Sequence, residues 1–221
     1  MIKKISIGLL VLIGGVLGFA ATRPDTYEVT RTITVNAPGE IVFSQIGNFK
    51  NWAQWSPWEK LDPGMQKTFE GPETGVGASY AWAGNDQVGK GKMTFTEVTA
   101  PRHLTIKLEF IEPFASIAET SFEVVEKPEG TATSWLMKGS NNFMGKVFGL
   151  FMDMEGMIGK DFEKGLESLK NVSEAAALKA RADAAAAEAA KAAEAARIAA
   201  EAAAAAAAAV SPDAGVAPAK R

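Results

Sequence analysis

Tyr27-Glu28-Val29-Thr30-Arg31-Thr32-Ile33-Thr34-Val35-Asn36 alternates strictly between two kinds of residue. Tyr27, Val29, Ile33 and Val35 share one face with Arg31, while Glu28, Thr30, Thr32, Thr34 and Asn36 occupy the other. Side chains of an extended chain point to opposite faces in turn, so this spacing predicts a half-buried β-strand. The strand runs into Asn36-Ala37-Pro38-Gly39-Glu40, where Asn36 can cap a helix and Pro38 is tolerated in its first turn. Ile41, Val42, Gln45 and Ile46 then give a short helix that stops at Gly47. A second short helical piece is expected over Phe49–Trp55, closed by Pro57.

Beyond Pro63-Gly64 the pattern becomes that of consecutive strands. They are expected at Gln66–Glu70, Ala78–Ala83, Gly89–Val98, Leu104–Phe110, Ser116–Glu126 and Thr131–Lys138. The breaks between them carry turn residues: Gly71-Pro72, Gly84-Asn85-Asp86, Ala100-Pro101, Glu112-Pro113 and Pro128-Glu129-Gly130. Spacers this short join antiparallel neighbours, because a parallel pair needs a crossover of about a dozen residues or more. After Gly145 the period changes again. Val147, Phe151, Met154, Ile158, Phe162, Leu166 and Leu169 recur every three or four residues and predict one long amphipathic helix. Gly149, Gly156, Gly159 and Gly165 within it each cost roughly 0.5–1 kcal/mol relative to alanine, which makes sense where the helix backbone passes close to a sheet. The expected class is α+β: a curved antiparallel sheet around a long closing helix, with room between the two apolar faces.

Five segments carry a likeness to a known family: Ile33-Thr34-Val35-Asn36-Ala37-Pro38 with its helix, Asn51-Trp52-Ala53-Gln54-Trp55-Ser56-Pro57-Trp58, Gly71–Tyr80, Gly89-Lys90-Gly91-Lys92-Met93 and Gly159–Leu166. Together with the strand order they make residues 25–172 resemble the START-like, helix-grip superfamily, also called the polyketide cyclase/dehydrase and lipid-transport (SRPBCC) group. The likeness is to its small bacterial members with an N-terminal membrane segment. It implies an internal cavity for a hydrophobic molecule. The superfamily includes lipid carriers, receptors, cyclases and co-chaperones, so the fold does not settle the function.

Ile5–Ala21 is an uncharged, mostly apolar run behind Lys3 and Lys4, with Arg23 beyond it. The charge asymmetry puts its N-terminus inside and everything after Pro24 outside. Residues 1–23 are therefore expected to be a single-pass anchor or, with a cut after Ala20, a signal peptide. The first places the domain on the extracytoplasmic side of a membrane, in the cell envelope; the second secretes it. The domain is expected over 24–172, followed by an alanine-rich helix at 173–209 and a disordered polar tail at 210–221. The chain has no cysteine, so disulfides, thiolate nucleophiles and thiolate metal sites are excluded. Tyr27–Val172 holds 14 Lys and Arg against 19 Asp and Glu, a formal charge of −5 that argues against a nucleic-acid partner. From Glu174 to Ala209 alanine dominates, and Glu188–Lys191 and Glu194–Arg197 add pairs three residues apart. Leu178 and Ile198 alone are too few for a coiled-coil seam, leaving a helical spacer or a contact surface for an envelope protein.

Residues that could do chemistry are sparse. His103 is the only histidine, so neither a nucleophile–histidine–acid arrangement nor a clustered metal site is expected. Gly71–Gly77 and Gly89-Lys90-Gly91 read as hairpin turns, because no helix follows them to complete a phosphate cradle. No cofactor is expected. Tyr80, Trp82, Phe95, Leu108, Phe110, Phe122, Trp135 and Met137 on strands, with Met154, Ile158 and Phe162 on the closing helix, form an apolar set that is either core or cavity lining. Arg31 and Glu119 are candidate polar groups of such a cavity or its rim. Trp52, Trp55 and Trp58 either pack the short helices on the sheet or form a membrane-facing edge. The expected function is non-catalytic binding of a hydrophobic small molecule or lipid. The alternatives are a cyclase- or dehydratase-type enzyme using a carboxylate such as Glu119, and a scaffold acting through the alanine-rich helix.

Overall fold

Strand β1 (Thr26–Val35) carries the expected alternation, and its partner is the last strand in the chain rather than the next. The computed structural model describes residues 2–210, leaving aside the side chains of residues 2–5, 7 and 208–210. Six further strands follow: β2 (Gln66–Glu70), β3 (Ser79–Ala83), β4 (Lys90–Thr99), β5 (His103–Glu112), β6 (Ser116–Lys127) and β7 (Gly130–Ser140). They form one antiparallel sheet in the order β1-β7-β6-β5-β4-β3-β2. Every neighbour after β1 is a hairpin partner, and β1 closes the order by pairing Thr26 with Ser140 through Val35 with Thr131. Register shifts at Lys90/Gly91 and Phe95/Glu97 in β4 put irregularities where the strand must bend.

Helix α1 (Ile2–Ala21) precedes the sheet and packs against α3 (Phe143–Phe148), with Ala20 buried. Among the described residues no helix is long and apolar enough to cross a membrane. The anchor expected over Ile5–Ala21 thus finds no support among these residues.

Helix α2 (Gly39–Ile46) is capped differently from the expectation. Pro38 holds the cap position with no side-chain bond, and the Gly39 N–H donates instead to Glu126 Oε1 of β6 at 2.7 Å. Two 3-10 turns, Phe49–Gln54 and Pro57–Lys60, follow it. Trp52 and Trp55 are buried, and their indole N–H groups donate to the carbonyls of Ile46 and Gln45. Two of the three tryptophans are thus structural, which removes the membrane-facing edge.

The single helix expected after Gly145 is two. Asn142 caps α3 by accepting from the Gly145 N–H, and Gly149 ends it. Asp153 then starts α4 (Met154–Val210), its carboxylate accepting from the Gly156 N–H at 2.9 Å. Phe151 falls in the break and is exposed rather than on a buried stripe.

The chain divides into two units, residues 1–177 and 178–221. In the first, Phe162, Leu166, Leu169 and Ala177 of α4 are buried against the inner face of the sheet. Phe162 stacks on Trp135 with centroids 4.1 Å apart and planes 6° from parallel. Phe49 stacks on Phe95 at 4.1 Å, and Phe122, Trp55 and Trp135 form a mutually touching cluster. Gly165 permits this closeness: a side chain there would meet Trp135 at 2.8 Å and Pro57 at 3.1 Å. Arg31 Nε pairs with Glu163 at 2.7 Å, and the Asn36 N–H donates to Glu174, tying α4 to β1. The described part of the second unit is helical, with ion pairs Lys179–Asp183, Arg197–Glu194 and Arg197–Glu201. Of the tail 210–221, residues 211–221 lie outside the described residues.

Candidate functional site

Where the aromatic packing ends, a cavity of about 430 Å³ begins. A water molecule occupies about 30 Å³ in the liquid, so this space holds on the order of fourteen waters. The sheet supplies Tyr27, Tyr80, Trp82, Met93, Leu108, Phe110, Thr120, Trp135 and Met137; the 3-10 turns supply Trp58 and Glu59; α4 supplies Met154, Ile158, Asp161 and Phe162. Local sequence explains the hollow. Trp82 lies opposite Gly91 and Tyr27 opposite Gly139, and a side chain at either glycine would overlap the facing ring. Both rings therefore lie down on the sheet instead of filling the space above it.

Of the apolar residues singled out from sequence, Tyr80, Trp82, Leu108, Phe110, Trp135, Met137, Met154, Ile158 and Phe162 line the cavity. Phe95 and Phe122 do not: both are fully buried in the neighbouring aromatic core. Arg31 sits between β1 and α4, outside the lining. Glu119 is exposed and alternates with the inward residues Ala118 and Thr120, facing Lys107 and Lys138 across the sheet. It borders a wider, more open depression of about 840 Å³ that also includes Glu28 and Ile117. The two lysines there are paired, Lys138 with Glu28 at 3.3 Å and Lys107 with Glu109 at 2.7 Å. That surface keeps its water, whereas the smaller aromatic cavity can remove an apolar molecule from water. His103 lies away from both, bonded to Glu123 at 2.6 Å and Thr105 at 2.8 Å.

The polar residue that sequence reasoning missed is Glu59. Its side chain is 8% exposed and borders the cavity. Tyr80 Oη donates to its Oε1 at 2.9 Å, and Lys67 Nζ pairs with its Oε2. Burial, reinforced by the Glu59 charge and this hydrogen bond, holds the Tyr80 phenol far above its ordinary range. Burial also raises Tyr27. Both tyrosines therefore remain neutral at any physiological pH. The only signal for Glu59 was an acid directly after Trp58 in a segment otherwise devoted to packing.

A sequence model for the family described as "Polyketide cyclase / dehydrase and lipid transport" matches residues 26–174. No curated protein matches the chain. Solved structures share the fold at low identity. An uncharacterised protein from Rhizobium leguminosarum is 13% identical with a TM-score of 0.51, over 67% of this chain and 95% of that one. A protein of unknown function from Staphylococcus aureus is 13% identical with a TM-score of 0.51, over 68% and 95%. A protein from Thermobifida fusca is 18% identical with a TM-score of 0.51, over 66% and 92%. With a match over about two thirds of its residues and a sheet closed by a long helix, the chain belongs to the polyketide cyclase / dehydrase and lipid transport family of the SRPBCC superfamily.

Proposed function

We propose that the domain binds a hydrophobic small molecule or lipid-like compound in the cavity between sheet and α4, without transforming it. One observation carries this reading: about 430 Å³ walled mainly by aromatic, methionine and aliphatic side chains. Such a lining is typical of small-molecule sites, and methionines let it adapt its shape. The family's description fits the same reading. Binding is favoured over turnover because the best-placed carboxylate is already committed: Tyr80 occupies one oxygen of Glu59 and Lys67 the other. Glu119, the carboxylate named by the enzymatic alternative, faces outward.

Export of the domain is part of the proposal, supported by Lys3 and Lys4 ahead of the Ile5–Ala21 run. Fractionation of cells producing the full chain tests it, and recovery in the cytoplasm alone would refute it.

The binding reading is tested with Nile red, a neutral apolar dye, and the purified full chain. Fluorescence should rise and saturate at one equivalent, and Met137→Trp, which places a larger ring in the cavity, should abolish the rise while far-UV circular dichroism is kept. Absence of saturable uptake by the unaltered protein would refute the proposal.

A further inference from the structure

We infer that the cavity selects an apolar molecule carrying a basic amine and discriminates against the same skeleton ending in a carboxylate; this rests on the ligand-binding reading above. The charged side chains on the lining are Glu59, Glu112 and Asp161, and among the described lining residues there is no lysine, arginine or histidine. Each acid has a lysine partner that lies outside the lining: Lys67 for Glu59, Lys90 for Glu112 at 2.8 Å, and Lys164 for Asp161 at 3.2 Å. Each pair is thus a dipole with its negative end toward the ligand. The Glu59 pair is buried and acts more strongly than it would in water, while the more exposed Glu112 and Asp161 pairs add the same sign at the rim.

Hydrogen bonding reinforces the sign. Tyr80 spends its proton on Glu59, Trp82 Nε1 donates to the Val88 carbonyl, Trp135 Nε1 to Thr120 Oγ1, and Thr120 in turn to the Leu136 carbonyl. These lining donors are turned into the protein, and what Tyr80 and Glu59 still offer is lone pairs. Ser56, Ser116, Tyr27 and Gln87 also border the space, but a hydroxyl or amide both donates and accepts and so does not discriminate, which leaves the Trp58 indole N–H as the one donor-only group beside three acids. The rings of Trp58 and Trp82 add an attraction specific to cations. A carboxylate would lose its hydration without meeting a lining cation, whereas an ammonium would meet acids and ring faces together.

The experiment uses the full chain and three probes of equal length: decylammonium, decanol and decanoate, below their micellar concentrations at pH 7. Affinities are read by calorimetry. Decylammonium should bind on the order of tenfold more tightly than decanoate, the scale of one charge or cation–π contact, with decanol between them. Glu59→Gln should shrink that ratio several-fold. Because Glu59 is buried, Asp161→Asn at the partly exposed mouth gives a second variant in which folding is not at stake, and it should shrink the ratio in the same direction. Decanoate binding as tightly as decylammonium, or a ratio unmoved in a folded variant, would overturn the amine assignment while leaving the cavity reading intact. Failure of all three probes to bind would overturn both.

Discussion

Replacing Phe162 asks whether the stack between helix and sheet is an energetic unit or mere proximity. Phe162 is 1% exposed and lies parallel to Trp135 at 4.1 Å, with Trp58 edge-on at 6.3 Å. Phe162→Ala removes a whole buried ring, for which core truncations cost about 3–5 kcal/mol. For a domain of this size that lowers Tm by roughly 6–20 °C. Phe162→Leu keeps most of the apolar bulk and should cost only about 1–2 kcal/mol. The stacking contribution is isolated by a cycle of Phe162→Leu and Trp135→Leu, in which the pair should couple by about 0.5–1.5 kcal/mol. The assay is urea unfolding followed by tryptophan fluorescence. All five tryptophans lie between Trp52 and Trp135, so the signal reports the sheet unit and not the alanine-rich one. Equal m-values across the set show that the variants unfold the same structure. Additivity within about 0.3 kcal/mol would refute the claim that this stack fastens α4 to the sheet.

Three further expectations follow from the same geometry. Tyr27 and Tyr80 are the only tyrosines and both have raised pKa values, so native tyrosinate absorbance should stay flat through the ordinary tyrosine range near pH 10. The unfolded chain ionises first, so stability should be whole below about pH 10 and fall as pH rises above it; a native titration near pH 10 for both phenols would contradict their burial. Gly91→Val puts a branched side chain into the Trp82 ring and the Glu109 carbonyl. It should cost about 1–3 kcal/mol in urea unfolding and, by tilting Trp82 into the cavity, weaken Nile red binding; undiminished affinity would show that Trp82 does not shape the site. Glu126→Ala strips the distant cap from α2 and should cost about 1 kcal/mol, read as a lower urea midpoint at constant m; no change would mean that water replaces the carboxylate fully.

Much of the sheet was legible because its signals are local. Alternation and turn residues placed all seven strands within about two residues of their ends, as with Leu104–Phe110 inside the observed His103–Glu112. The failures have a common physical source in partners far along the chain. The cap of α2 comes from Glu126, 87 positions away from Gly39, where sequence favoured the adjacent Asn36. The break before α4 was hidden because Phe151 continues a three-to-four spacing through residues that are not helical. For the site, Tyr80, Trp82, Leu108 and Phe110 were recoverable from strand parity, and parity also argued against Glu119, which is out of step with Thr120 and Phe122. The separation of lining from core was not recoverable. Phe95 and Trp82 look alike in sequence, and only the crossing of Phe49 over one and not the other divides them. Glu59 carries no motif because its role depends on Tyr80 and Lys67 arriving from other strands.

The hollow is also constrained by energy. Buried voids cost about 24 cal/mol per Å³ when left dry, so 430 Å³ kept wholly vacant would cost on the order of 10 kcal/mol. That is comparable with the entire stability of an ordinary domain, about 5–15 kcal/mol. The space must therefore be occupied, collapse, or be wetted through its mouth. Collapse is opposed by the rings laid over Gly91 and Gly139 and by the Trp135–Phe162 stack, which fixes the distance of α4 from the sheet. Water is a poor occupant beside Trp82, Trp135 and Thr120, which have already spent their protons on protein acceptors, and finds the two to four polar partners it needs only near the acids and serines of the lining. An apolar guest relieves the penalty without needing those partners. Its binding is thermodynamically coupled to folding, so a ligand at a hundred times its Kd should raise stability by about 2.7 kcal/mol. A urea midpoint that does not move at that ligand concentration would show that the guest does not bind the native domain in preference to the unfolded chain, which would refute the coupling.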